Sequence, residues 1–253
     1  MLLYAKYSEG YQAPGFNGFP GRLVPPNTFY AENLDAFELG IKSQFFDRAL
    51  TFNAAAFHYE YSDLQVRGTP GPGLTDIRNA AGATIDGVEA SVVLRANEYL
   101  SFTGNLTYLD ARYDEFCELI GGGSPVGADP LCDATHADRS GNRLSLAPEW
   151  TGGVNANLEV PMGSITLRGN LGYSFETNSF FTSVNEDVLS TGGWERIDAR
   201  LGVGFADGLE VYAFGRNLSD DRYTGYGLRA LPNLAPVTFN DPRTYGVGIR
   251  YHF

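Results

Sequence analysis

Residues 165–175 read ITLRGNLGYSF, with Ile165, Leu167, Gly169, Leu171, Tyr173 and Phe175 on one parity and Thr166, Arg168, Asn170, Gly172 and Ser174 on the other. Successive side chains of an extended strand point to opposite faces, so this stretch has one apolar and one polar side. It is also long. A tilted strand of about 9 to 11 residues crosses the hydrocarbon of a bilayer, whereas strands of soluble sandwiches run to about 5 or 6. The stretch therefore predicts a membrane-spanning strand, odd residues in lipid and even residues in water.

The same rule extends outward. Leu100, Phe102, Gly104, Leu106 and Tyr108 oppose Ser101, Thr103, Asn105 and Thr107, and Val88, Ala90, Val92 and Leu94 oppose Gly87, Glu89, Ser91 and Arg95. Phe37, Leu39, Ile41 and Phe45 oppose Glu38, Gly40, Lys42 and Gln44. Further strands are predicted over 150–160, 197–205 and 245–253, the last with Tyr245, Val247, Ile249, Tyr251 and Phe253 on one face. From Leu50 to Tyr61 the apolar parity changes, from Leu50, Phe52, Ala54 and Ala56 to Phe57, Tyr59 and Tyr61, which predicts either a bulge or lumen-facing aromatics. Tyr212 and Phe214 leave the faces of a strand at 208–218 equally open.

Short links near Asp47, Asn97, Pro161 to Gly163 and Ala206 to Gly208 alternate with long ones at about 9–31, 68–82, 116–147, 177–193 and 219–242. Short periplasmic turns alternating with long extracellular loops are the habit of outer-membrane barrels. Ten strands then place both chain ends on the periplasmic side. The fold class is all-β, an antiparallel transmembrane β-barrel; a soluble sandwich is the alternative. An apolar period of two, with Gly in nearly every segment, excludes helices.

Composition agrees. The 253 residues include 31 Gly, 17 Phe and 15 Tyr but only 2 Met, and no run of about 20 apolar residues could form a spanning helix. A net charge of −12, from 30 acidic and 18 basic residues, leaves no basic surface for phosphates and excludes nucleic acid as a partner. The opening MLLYAKYSEGYQAPG lacks the parts of a signal peptide, so either the protein is not exported or its front end is missing.

Cys117 and Cys132 lie in the longest loop, where the cell exterior permits a disulfide. A bridge is favoured over a metal pair, since His136 alone does not complete a site. Asp114, Glu115, Glu118, Asp129, Asp133 and Asp138 face a single Arg139 there and lack calcium-loop spacing, so a solvated acidic surface is the reading. Neither His58, His136 and His252 nor the Asp220 and Asp221 pair makes a catalytic grouping, so no enzyme and no cofactor are expected. GGGSPVG at 121–127 lacks the end of a phosphate loop.

Several stretches resemble the TonB-dependent receptor family. FGRNLSDDRY, from Phe214 to Tyr223, is similar to its "NL-D-RY" signature, and the 37–66, 79–95 and 141–155 stretches resemble further family segments in the family's order. The end, RTYGVGIRYHF, resembles the outer-membrane assembly signal at Gly248, Tyr251 and Phe253, read by the barrel-assembly machinery. The resemblance implies the last ten or so strands of a 22-stranded barrel, 1–253 being its C-terminal portion without the plug domain and the N-terminal strands. It further implies outer-membrane localisation among lipid and lipopolysaccharide, and energy from TonB, ExbB and ExbD through the plug. The ligand would be a scarce nutrient, foremost a ferric siderophore, with cobalamin or an oligosaccharide as alternatives. Ligand candidates are Phe16, Phe19, Arg22, Phe29 and Tyr30 in the first long loop, Phe180 and Phe181 in the fourth, and Arg222, Tyr223, Tyr226 and Arg229 in the fifth, because guanidinium pairing and ring stacking suit an anionic aromatic chelate. Glu38, Lys42, Glu89, Arg95, Arg168 and Arg200 would face the plug. A complete ten-stranded barrel, for example a protease, and a soluble carbohydrate-binding β protein are the other classes.

Overall fold

The computed structural model describes residues 1–18, 28–71, 74–79, 82–119, 136–229 and 234–251. Ten strands make one antiparallel sheet in which chain neighbours are sheet neighbours. They are β1 (Leu2–Gln12), β2 (Glu32–Phe45), β3 (Leu50–Ser62), β4 (Gly82–Arg95), β5 (Leu100–Glu115), β6 (Trp150–Met162), β7 (Ile165–Glu176), β8 (Trp194–Phe205), β9 (Leu209–Arg216) and β10 (Thr244–Tyr251). Tight turns join them at one end, using the left-handed backbone where a reversal needs it, as at Gly163 (φ 67°) and Gly208 (φ 88°). The other end carries five long connections, here L1 (13–31), L2 (63–81), L3 (116–149), L4 (177–193) and L5 (217–243). β1 and β10 are the two sheet edges.

Register puts the apolar parities of all strands on one face. Leu3 pairs with Ile41, Ile41 with Ala54, Ala54 with Ala90, Ala90 with Leu106, and Leu106 with Gly152. Val247 and Ile249 on that face are 82% and 73% exposed, which a water-facing sheet would not tolerate over so wide an area. Aromatic pairs mark its upper margin, Tyr7 against Phe37 at 4.9 Å and Tyr108 against Trp150 at 4.8 Å. An apolar band ending in rings is the lipid-facing surface of a barrel wall.

The parity change in β3 is resolved without a bulge, because its pairing with β2 and β4 runs unbroken. Phe57, Tyr59 and Tyr61 face the lumen, and the outer positions beside them are His58 and Glu60, with His58 Nδ1 2.8 Å from Asp86 Oδ1. Above the aromatic margin the two faces exchange character. Outside lie Glu9, Asp35, His58, Asp86, Asp110 and Arg112; inside, Tyr61, Leu64, Val66 and Leu144 pack on the buried Ala83, Tyr113 and Phe116. The strands outrun the hydrocarbon there, so the outer face meets water and headgroups while the inner face supports L3. This exchange explains why β2, β4 and β5 are longer than their alternation suggested, extending to Glu32, Gly82 and Glu115.

Tyr212 and Phe214 also face inward. The Tyr212 ring covers Gly248, where an added Cβ would lie 2.4 Å from Cζ, and Phe214 covers Gly246. The long connections are less plain than expected from sequence. Gln65–Gly71 pairs with Leu74–Asn79 within L2, Cys117–Leu119 with His136–Asp138 within L3, and Thr224–Gly227 with Val237–Phe239 within L5.

Candidate functional site

The loop end is organised around L4. Phe181 N–H donates to Leu189 O (2.8 Å) and Thr191 N–H to Ser179 O (2.8 Å), folding the loop back through a short 3-10 turn at Asp187–Leu189. Leu189 is 1% exposed and lies against Gly227 of L5, where a Cβ would approach its Cδ2 to 3.1 Å. L3 grips the other side: Arg143 N–H donates to Asn185 Oδ1 (2.7 Å), Asn185 Nδ2 donates back to Arg143 O (3.0 Å), and Asn142 Nδ2 donates to Ser183 O (2.8 Å). Asn185, at φ 56°, takes a left-handed conformation that asparagine tolerates well. An ion pair between Arg229 and Glu186 ties L4 to L5.

L5 starts from the stretch resembling the family signature, and its geometry gives those residues structural work. Asn217 is 4% exposed at φ 49°; its Nδ2 donates to Asp221 O (3.0 Å) and Asp241 O (3.1 Å), and its N–H donates to Asp198 Oδ1 (2.9 Å). Asp221 Oδ2 accepts from Glu195 N–H (2.9 Å), and Asp220 Oδ1 from Arg243 N–H (2.9 Å). β8, β9 and β10 are thus locked at one point. Tyr223 stacks on Trp194 at 5.1 Å.

Of the residues singled out in the sequence, Phe180 and Phe181 are half-buried in the L4 fold, Phe181 with its ring 6.2 Å from Tyr226. Arg229 is engaged by Glu186. Phe16, Tyr30, Arg222 and Tyr226 are exposed, while Phe29 covers Gly15. Phe19, Arg22, Cys132 and Phe253 lie outside the described residues. The structure thus gathers the L4 and L5 candidates at one mouth, and Phe16 stands on L1, which Asn17 joins to L2 through Ile77. Sequence reasoning missed the polar clasp of Asn142, Arg143 and Asn185, whose signal is only two asparagines in polar loops.

Cys117, the one cysteine among the described residues, is disulfide-bonded. Among the described residues no group of three or more His, Cys, Asp or Glu could hold a metal. In L3 the Ser140 hydroxyl, and then its N–H at 2.8 Å, hold the Asp138 carboxyl below its ordinary value. On the inner wall Tyr4 donates to Glu38 (2.6 Å) and lies 5.3 Å from Lys42 Nζ; Arg168 pairs with Glu159 (3.2 Å) and Arg200 with Glu210 (2.8 Å). Glu89 and Arg95 share that face through their partners Ala55 and Ser101.

Known proteins match this architecture. The family described as "TonB dependent receptor-like, beta-barrel" matches residues 1–218. The pesticin receptor of Yersinia pestis is 24% identical over 251 residues, 99% of this chain and 34% of that protein. Among solved structures, the ferric yersiniabactin uptake receptor FyuA of Yersinia pestis superposes with a TM-score of 0.79 at 24% identity, covering 99% of this chain and 35% of its own. The siderophore receptor PiuA of Acinetobacter baumannii gives 0.70 at 19% identity, covering 98% and 33%. The chain thus spans about a third of the length of these relatives.

Proposed function

The chain belongs to the TonB-dependent receptor β-barrel family, an outer-membrane family, and we propose that it forms wall and mouth of an uptake receptor for a ferric siderophore. The observation that carries this is likeness over nearly its whole length to receptors, one named for ferric yersiniabactin uptake, combined with a mouth in which L3, L4 and L5 are braced together. Both sheet edges present backbone donors and acceptors, which hydrocarbon does not satisfy, so the reading includes further strands that close the barrel and a plug through which TonB, ExbB and ExbD supply energy. Residues 1–253 are then the C-terminal portion of that barrel.

Exposed rings at Phe16 and Tyr226 and the guanidinium of Arg222 are the ligand contacts in this proposal, while Phe180, Phe181 and Arg229 hold the mouth in shape. A Cys117 to Cys132 bridge closes the tip of L3 in the same reading. Equilibrium binding of a panel of ferric siderophores to the intact receptor tests it. At least one should bind, and Tyr226→Ala should weaken it by about ten-fold, corresponding to about 1.4 kcal/mol of ring contact. Binding only of cobalamin or an oligosaccharide would replace the siderophore with that nutrient.

A further inference from the structure

On the polar face, near the short-turn end of β6 to β10, Arg168, Arg200 and Arg250 converge with Glu159 and Glu210 around a cavity of about 420 Å³ that Asn170 also lines. Arg200 Nη2 lies 2.8 Å from Glu210, whose side chain is only 4% exposed, and Arg168 pairs with Glu159 at 3.2 Å. Both carboxylates are thereby engaged. Arg250 stands across the strand pair from Glu210, its guanidinium 6.0 Å from the Tyr212 ring, with no ion-pair partner among the described residues. Arg200 Nε is buried and has no hydrogen-bond acceptor. Two glycines leave the room: a Cβ on Gly204 would lie 2.3 Å from Arg168 Nη1, and one on Gly202 would lie 3.0 Å from Glu210 Oε1.

Three guanidiniums against two carboxylates leave one positive charge in a partly enclosed place, together with an unsatisfied buried donor. A carboxylate answers both needs, because its two oxygens accept from guanidinium donors side by side. We propose that this cavity is a carboxylate-binding site on the lumenal wall, with Arg250 as the primary contact and Arg200 as the second. The inference rests on the polar face being the lumen and is independent of which nutrient the mouth admits. The carboxylate has two potential sources, a small anionic solute in the lumen or an acidic side chain of a polypeptide segment lying there.

Asn170→Cys in the full-length receptor, in isolated outer membranes, places a reporter thiol at the cavity. Its modification is timed with two methanethiosulfonates, one bearing a sulfonate and one an ammonium group. A site open to solutes should react several-fold faster with the sulfonate reagent, each rate normalised to that with a free thiol, because one of its three guanidiniums is left uncompensated. Citrate should slow that reaction, Arg250→Gln should bring the ratio near one, and Arg250→Lys should keep it. A site filled by a polypeptide carboxylate should resist both reagents, and Arg250→Gln should open it to both. Glu159→Gln, at an exposed partner, is a second variant that leaves β10 untouched and should raise the ratio of an open site or strengthen the protection of a filled one. Free access without charge preference, or a preference or protection that neither substitution changes, would overturn the proposal.

Discussion

Gly87 faces the Phe57 ring from the next strand, and a Cβ there would lie 2.2 Å from the ring Cζ and 2.9 Å from the Tyr108 carbonyl oxygen. The ring could swing aside but the carbonyl is fixed by the ladder, so Gly87→Ala should destabilise the barrel by about 1–3 kcal/mol. Urea unfolding of the intact receptor in detergent reads this. Asn217 offers a second check, since its amide satisfies two carbonyls from buried surroundings. Asn217→Gly keeps the left-handed backbone accessible and isolates the loss of those bonds, for which about 1–3 kcal/mol is expected. Asp138 should titrate below an ordinary aspartate, and Ser140→Ala should raise its value, as followed by NMR of the L3 segment. The linkage has the sign of a depressed acid: its contribution is complete above the unfolded-state value and is lost as pH falls through the folded one.

Loop L4 is held both by bonds within itself and by its neighbours L3 and L5. Asn185→Ala removes the reciprocal bonds with Arg143 and should speed amide exchange across 177–193 while leaving β7 and β8 protected, as hydrogen exchange with mass spectrometry would show. Loss of protection throughout β7 would contradict an independent loop clasp. For L3, cutting the proposed Cys117 to Cys132 bridge should cost up to about 3 kcal/mol in the chain-entropy model, and the effect should stay local to the hairpin that Cys117 begins. At this scale the sequence was legible where one physical environment governs a whole strand, as in β6 and β7. It was less legible in β3, where a bulge and lumen-facing aromatics stayed open as alternatives, and in β5 beyond Tyr108, because each strand passes from lipid to the cell exterior and its apolar parity changes sides on the way. The hairpins inside L2 and L5 escaped notice because their strands are short and each pairing carries a register shift. Within the mouth, residue type pointed to Phe180, Phe181 and Arg229, but burial and Glu186 assign them to bracing, which composition does not reveal.

Across the molecule, the outer face of the sheet is apolar to the aromatic margin, while the inner face carries polar groups, paired charges and a few rings such as Phe57 and Tyr212. That division gives the sheet one side for the membrane and one for the lumen. Its most direct test is a spin-label scan of 165–175, one position at a time, in the full-length receptor in lipid, comparing collision with oxygen and with a water-soluble nickel chelate. Oxygen access should peak at Ile165, Leu167, Leu171 and Tyr173, and nickel access at Thr166, Arg168, Asn170 and Ser174. Absence of a two-residue period, or the opposite phase, would contradict a transmembrane wall with this face in lipid.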